Sequence, residues 1–116
     1  MIKRKEEMYS EIKTEVRGGK GTMGISYLLS QEESFTAKLD KMARVNLAPG
    51  CSIGVHPHDI TEEIYYILQG KALFHDNGEV KQLQPGDATI TGGGETHSIE
   101  SLGPETLDMV AVIIKK

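Results

Sequence analysis

Short segments with the composition of β-strands recur along most of this chain, and they constrain its fold more than any other feature. Each segment is rich in β-branched or other apolar residues and is separated from the next by polar, glycine- or proline-containing turns. Short strands at such close spacing are typical of an all-β sandwich or barrel. The sequence predicts nine strands, over residues 25–29, 42–47, 53–58, 63–68, 72–75, 80–83, 88–90, 96–99 and 107–114.

Two turns have a clear chemical signature. Asn77-Gly78 separates residues 71–75 from residues 79–83, and this dipeptide readily adopts the positive φ angles of a tight hairpin. The tripeptide Pro-Gly-Asp at residues 85–87 predicts a second turn, because proline fixes φ and glycine tolerates the next corner.

The N-terminal part of the chain is less regular. Residues 1–17 mix charged residues with a thin apolar stripe, which fits either a short helix or an extended arm. Residues 17–21 read RGGKG and predict a flexible linker, since they lack the Gly-Lys-Ser/Thr of a phosphate loop. A second short helix is an option around residues 30–37. We therefore predict an N-terminal arm and linker over 1–21 and a single barrel domain over 22–116.

Composition excludes several classes of function. A chain of 116 residues has room for one core, and its net charge of −4 supplies no basic surface for nucleic acid. No apolar run approaches the roughly 20 residues needed to cross a bilayer, and the charged start lacks the apolar stretch of a secretory signal. We expect no membrane association and a cytoplasmic location. The single cysteine, Cys51, excludes an internal disulfide and fits a small hydrophobic side chain.

Three of the four histidines and one glutamate form a pattern that is typical of a metal site. His56 and His58 stand two positions apart in a predicted strand, so both imidazoles lie on one face of a sheet. Glu63 follows a polar stretch long enough to turn the chain and return a carboxylate beside them. With His97 from a later strand, the set suits one divalent ion of Mn, Fe, Co, Ni, Cu or Zn. Gathering these groups inside a barrel without a cation would be costly.

Two stretches resemble the two sequence motifs of the cupin superfamily. Residues 50–70, GCSIGVHPHDITEEIYYILQG, resemble the first motif with its HxH pair, its glutamate and its closing glycine. Residues 86–101, GDATITGGGETHSIES, are similar to the second motif. They depart from it at Gly92, where the family prefers proline, and at Ser101, where it prefers asparagine. The resemblance covers roughly residues 40 to 114 and implies a double-stranded β-helix, the jelly-roll barrel of cupins.

The resemblance also implies that the metal ligands are His56, His58, Glu63 and His97. Glu62 is a rival ligand, because the family spacing permits it too. Glu63 is preferred because it has the family's spacing to the closing glycine, whereas Glu62 belongs to a polar turn and fits a solvated carboxylate.

A substrate pocket is expected next to the metal. Strand alternation starting from Glu63 predicts that Tyr65 and Ile67 point into the barrel, and the same parity places Ile99 beside the third histidine. Arg44, on the strand that leads to the first motif, is a further candidate for the pocket. Two interpretations of Tyr65 stay open, a hydroxyl offered to a ligand and a core aromatic with a satisfied hydroxyl.

Among cupins, the chain looks most like small bacterial members that resemble one half of an oxalate decarboxylase. That resemblance implies a metal with two open positions, where a small carboxylate or dioxygen could bind. Oxalate decarboxylases carry an arginine three residues before the HxH pair, and this chain has Ile53 there. They also use a glutamate on a lid loop as proton donor, for which we expect no counterpart before Lys116.

Two hypotheses of function follow. The first is a metal-dependent enzyme that acts on a small organic acid by oxygenase- or lyase-type chemistry, with the metal as Lewis acid and template. The alternative is a module that binds a small ligand, or serves as a sensor, without catalysis. A carboxylate is the expected ligand in both cases, and no catalytic residue is assigned. Because cupin folds commonly pair, we expect a homodimer in which residues 1–17 add a strand to the neighbour's sheet.

Overall fold

The protein, seen in a computed structural model that describes all 116 residues, consists of ten strands and three single 3-10 turns. The strands are β1 (Tyr9–Thr14), β2 (Thr22–Ser30), β3 (Leu39–Leu47), β4 (Ser52–Pro57), β5 (Thr61–Gln69), β6 (Ala72–Asp76), β7 (Glu79–Leu83), β8 (Ala88–Thr91), β9 (Thr96–Ser101) and β10 (Leu107–Lys115). All nine predicted strands are confirmed, with ends that differ by no more than three residues. No helix has the length and apolar character that crossing a bilayer requires.

The strands form two antiparallel sheets that enclose one core. Six strands follow the order β1-β2-β3-β10-β5-β8, and four follow the order β4-β9-β6-β7. Buried apolar side chains from both sheets make a single cluster, in which Leu47, Ile67, Leu107 and Met109 of the larger sheet meet Ile99 of the smaller one. This arrangement confirms the predicted all-β barrel. Its physical basis is the apolar alternation of each strand, which gives each sheet one face to bury.

The alternation predicted for β5 is confirmed. Glu63, Tyr65 and Ile67 are buried between the sheets, whereas Tyr66 and Leu68 are exposed on the outer face. The strand lies between β10 and β8, so its backbone is paired on both sides and its direction is fixed by two ladders. Such a strand is a rigid support for a functional side chain.

The hairpin predicted at Asn77-Gly78 is confirmed as the connection between β6 and β7. Asn77 has a φ of 48° and Gly78 a φ of 95°, as a primed turn requires, and Asp76 pairs with Glu79 across it.

The sequence allowed a helix within residues 1–17 and another around residues 30–37, and neither is formed. The chain forms only 3-10 turns at Lys5–Glu7, Val16–Gly18 and Gln31–Glu33. The last of these is closed by the Glu33 carboxylate, which accepts a hydrogen bond from the Ser30 backbone N–H at 2.8 Å. Beyond this turn the backbone becomes extended at Ser34, so a helix cannot continue.

The sequence analysis missed strand β1. It pairs antiparallel with β2 from Tyr9 opposite Tyr27 to Thr14 opposite Thr22, and so extends a sheet of its own chain. Five of its six residues are exposed, which leaves no apolar alternation to detect. The Tyr9 and Tyr27 rings stack with centroids 6.0 Å apart.

Residues 15–21, predicted in part as a flexible linker, form a turn that is hydrogen-bonded to β4. The backbone N–H of Lys20 donates to Ser52 Oγ at 2.9 Å, and the N–H of Ser52 donates to the Lys20 carbonyl at 2.9 Å. The turn approaches β4 so closely because Gly19 and Gly54 face each other, and a Cβ on either would overlap the opposite backbone. The domain boundary at residue 21 stays a prediction.

We predict that Gly54→Ala weakens the fold by about 1–3 kcal/mol, because the added methyl group must displace the backbone of the turn. Urea denaturation of metal-free protein measures the effect. The neighbouring Val55→Ala is the matched control, since Val55 is 63% exposed and its truncation should stay within about 0.5 kcal/mol. Equal stability of the Gly54→Ala variant and the wild type would show that the turn does not depend on this approach.

Candidate metal centre

Four polar side chains meet inside the barrel, between its two sheets. His56 lies in β4 and His97 in β9, and the two residues are directly paired across the smaller sheet. Glu63 reaches the same point from β5 of the larger sheet, and His58 follows directly after β4. All four are buried, with no more than 7% of any of them exposed. The structure therefore brings together the four residues that the sequence predicted as ligands.

The contacts among these groups are short and run through a single atom of each side chain. The Nε2 atoms of His97 and His56 are 3.1 Å apart, and those of His58 and His97 are 3.2 Å apart. One carboxylate oxygen of Glu63, Oε1, lies 3.1 Å from Nε2 of both His58 and His97. One ligand atom from each residue lies within 4.8 Å of all the others.

The opposite ring nitrogens hold the imidazoles in place. His56 Nδ1 lies 2.7 Å from the Gly54 carbonyl, and because a carbonyl only accepts, this nitrogen carries the proton. His58 Nδ1 makes a hydrogen bond of 2.8 Å with the Thr61 hydroxyl. The His58 backbone N–H donates to the Glu95 carbonyl at 3.1 Å, which fixes the residue although it lies outside a strand. Partners of this kind orient histidine ligands toward a metal.

His97 is held by aromatic rings instead. The Tyr65 ring stacks on it with a centroid distance of 5.1 Å and an interplanar angle of 10°, and the Phe74 ring meets it edge-on at 5.8 Å. Its Nδ1 is buried without a hydrogen-bond partner. The packing of two aromatic side chains therefore decides the orientation of this imidazole.

The pKa shifts of the clustered residues favour the protonation states that bind a cation. Burial lowers the pKa of His56 and of His58, which favours their neutral forms. Burial by itself would raise the pKa of the Glu63 carboxyl, but its hydrogen bond with His97 and its charge interactions with His97, His58 and His56 together outweigh that effect and lower the pKa. Neutral imidazoles beside an ionised carboxylate are the protonation states in which these side chains bind metals.

The donor set fits a divalent transition metal. The proton of His56 is on Nδ1, so its Nε2 points a bare lone pair at the Nε2 of His97 only 3.1 Å away. Such a buried contact between ring nitrogens and a carboxylate is costly unless a proton or a metal ion lies among them. Three imidazoles and one carboxylate are ligands that Mn, Fe, Co, Ni, Cu and Zn all accept, so the set suits a metal without selecting one.

A cavity of about 220 Å³ lies beside the cluster, and His56, His58, Glu63 and Tyr65 form part of its wall. Most of the remaining wall is apolar, with side chains contributed by β2, β3, β4 and β10. Burial raises the pKa of Tyr65 well above its ordinary value, and the neighbouring Glu63 carboxylate acts in the same direction. The Tyr65 hydroxyl therefore stays protonated in this setting.

The structure revises the predicted pocket. Tyr65 lines the cavity, whereas Ile67 and Ile99 are buried in the core and do not reach its wall. Arg44 does not belong to the pocket. It lies on the outer face of β3, where its Nε donates a hydrogen bond to Asp108 at 2.9 Å. The reason is strand parity, since the inward positions of β3 are taken by the buried Ala43 and its alternate neighbours.

Sequence reasoning missed the apolar positions of β2, β3, β4 and β10 on the cavity wall, and also four residues from β1, the turn at 15–21 and the start of β3. These four are Lys13, Val16, Arg17 and Lys41. Parity along β3 could have found Lys41, because it is two positions before the inward Ala43. No local pattern could have found the other three, since only the pairing of β1 and the turn at 15–21 bring them to the barrel.

The family described as "Cupin domain" matches residues 43–113, which is more than half of the chain. This chain is a cupin.

Two comparisons relate this cupin to proteins of Thermotoga maritima. It is 44% identical over 114 residues to a protein named "Oxalate-binding protein", with 98% of this chain and 93% of the relative covered. A crystal structure described as a predicted oxalate decarboxylase from the same organism superposes with a TM-score of 0.93, at 43% identity and with both chains fully covered. The cupin domain of Schizosaccharomyces pombe Cnp3 is more distant, with a TM-score of 0.72 and 19% identity over 91% of this chain and 69% of that one, and shows the fold alone.

We predict that Glu63→Gln lowers metal affinity more than about a hundredfold, because the only anionic donor of the cluster is lost while its size is kept. Elemental analysis after dialysis against metal-free buffer measures the retained metal. Glu62→Gln is the matched control and should keep the wild-type content, since Glu62 is not one of the four clustered residues. The reverse pattern would make Glu62 the ligand.

Proposed function

We propose that this cupin binds a small carboxylate at a divalent metal held by His56, His58, Glu63 and His97. The observation that carries the proposal is the small cavity beside the buried cluster, whose wall includes three of these four ligands. A bound divalent ion would supply Lewis-acid attraction for a carboxylate oxygen. With one anionic ligand among four, the occupied centre would keep a positive charge that favours an anion.

The size of the cavity limits the ligand. A volume of about 220 Å³ equals the space of about seven water molecules in the liquid, and it is smaller than the pockets that hold drug-sized molecules. An acid of a few carbon atoms fits this space. The name of the Thermotoga maritima relative, an oxalate-binding protein, supports a ligand of the same class here.

The wall of the cavity favours binding over turnover. Glu63 is the only residue with a carboxyl group on that wall, and it belongs to the metal cluster. Tyr65 is a poor proton donor near neutral pH, because burial raises its pKa. Decarboxylation needs a proton delivered to the product carbon, and the wall offers no carboxyl group outside the metal cluster to deliver it. The second candidate is a lyase or oxygenase acting on the same acid, which the description of the solved relative as a predicted oxalate decarboxylase favours.

We predict that protein loaded with manganese binds oxalate with a Kd between about 1 μM and 1 mM, as measured by calorimetry. The Glu63→Gln variant, treated in the same way, should give no measurable heat because its metal is lost. Carbon dioxide release from oxalate should stay at the level of buffer with free manganese. Absence of binding to the loaded wild type, with manganese, iron, cobalt, nickel, copper and zinc each tested, would overturn the proposal. Release of carbon dioxide by the protein would establish the enzyme candidate instead, with formate as the second product of a lyase and consumption of dioxygen as the mark of an oxygenase.

We also propose that the protein forms a homodimer through strand β1. This strand is the edge of the larger sheet, and Tyr9 and Ile12 on it are 66% and 75% exposed. An exposed edge with apolar side chains is suited to pairing with another copy. Sedimentation equilibrium should show a dimer for the wild type and a monomer for Ile12→Lys. A monomeric wild type would contradict the expectation.

A further inference from the structure

Three basic side chains lie at the mouth of the cavity, and none of them belongs to the four-residue metal cluster. Lys13 comes from β1, Arg17 from the turn at 15–21, and Lys41 from β3, and all three line the cavity. Glu63 is the only acidic residue on the same wall. Three cationic side chains therefore surround one small cavity, although the net charge of the whole chain is −4.

None of these three cations is neutralised by an ion pair. No Asp or Glu oxygen lies within 4.0 Å of the terminal nitrogens of Lys13, Arg17 or Lys41, although other lysines of the chain do make such pairs. Lys41 instead extends over the Tyr27 ring, with its Nζ 6.0 Å from the centroid. Unpaired cations around a concave site concentrate anions in it.

Arg17 is held by an unusual backbone. Its φ and ψ are 53° and 31°, and Glu15 two residues before it has 48° and 49°. A left-handed conformation costs a residue with a side chain about 1–2 kcal/mol, so two of them within three residues need strong support. The turn receives that support from two bonds, since the Glu15 N–H donates to the Gly21 carbonyl and the Gly19 N–H donates to the Val16 carbonyl, each at 2.9 Å.

The same turn is attached to the strand that carries the metal cluster. Gly19 packs on the backbone of Ser52 and Gly54, and the Gly54 carbonyl accepts the hydrogen bond from His56. Val16, next to Arg17, packs against the apolar core. The position of the Arg17 backbone is thus tied to that of the His56 ligand through one short stretch of β4.

We propose that Arg17 binds the second carboxylate of a small dicarboxylate whose first carboxylate is at the metal, with Lys13 and Lys41 adding positive charge. The inference rests on the proposed function and deepens it, because it names dianions as the preferred ligands and Arg17 as a specificity-determining residue. Guanidinium suits this role, since its planar fork donates two parallel hydrogen bonds to one carboxylate. The turn at 15–21 supplies this arginine next to β4, whose Ile53, three positions before the HxH pair, lines the same cavity.

The test compares dicarboxylates with a monocarboxylate on manganese-loaded protein. Calorimetric titrations with oxalate, malonate and formate are run on the wild type, Arg17→Gln, Arg17→Lys and Lys20→Gln. Loss of a charged hydrogen-bonding partner should weaken oxalate or malonate about 10- to 100-fold in Arg17→Gln, with partial recovery in Arg17→Lys and little change for formate. Lys20→Gln is the matched control, because Lys20 is an exposed cation on the same turn that does not line the cavity. It should bind like the wild type.

The outcomes separate this inference from the function on which it rests. Manganese content and thermal stability of each variant are measured first, so that a lost metal or a lost fold is not mistaken for a lost contact. If the loaded wild type binds none of the three acids, the proposed function fails. If it binds a dicarboxylate and Arg17→Gln binds it equally well, the proposed function stands and the role of Arg17 is overturned. An equal loss for formate and for the dicarboxylates would also overturn it, since Arg17 would then act on the first carboxylate.

Discussion

Electrostatic repulsion among buried nitrogen atoms is the constraint on which the rest of this structure depends. The Nε2 atoms of His56, His58 and His97 converge within 3.2 Å contacts, together with one oxygen of Glu63. Burying groups rich in lone pairs so close together is costly unless a proton or a metal ion lies between them. Two sheets, one supplying Glu63 and the other His56 and His97, therefore meet at a point that suits a metal ion.

The backbone contributes to this centre as much as the side chains do. Gly54 accepts the hydrogen bond that fixes the tautomer of His56, and its missing side chain lets the turn at 15–21 lie against β4. One glycine thus couples a metal ligand to the N-terminal arm. Close contact of two backbones is possible only where neither has a Cβ, which explains why Gly19 faces Gly54.

The floor and the mouth of the cavity have separate origins. The floor is made by strands within the stretch that matches the cupin family, and it supplies three residues of the polar cluster and the Tyr65 ring. Two of the three basic residues at the mouth, Lys13 and Arg17, come from β1 and from the turn at 15–21, which precede that stretch. Such a division allows one barrel to receive different ligands, because substitutions in β1 and the following turn change the mouth and leave the floor intact.

The sequence by itself determined the nine barrel strands, the hairpin at Asn77-Gly78 and the four clustered residues. Apolar alternation and turn chemistry are local signals, and the spacing of His56 and His58 in one predicted strand already placed them on the same face, although β4 ends at Pro57. Tertiary structure alone decided that residues 9–14 form a strand, that Ile67 and Ile99 lie in the core and not on the cavity wall, and that Arg17 lines the cavity. These outcomes depend on which segments pack together in space. The residues of an exposed edge strand or a glycine-rich turn do not indicate which segment they will contact.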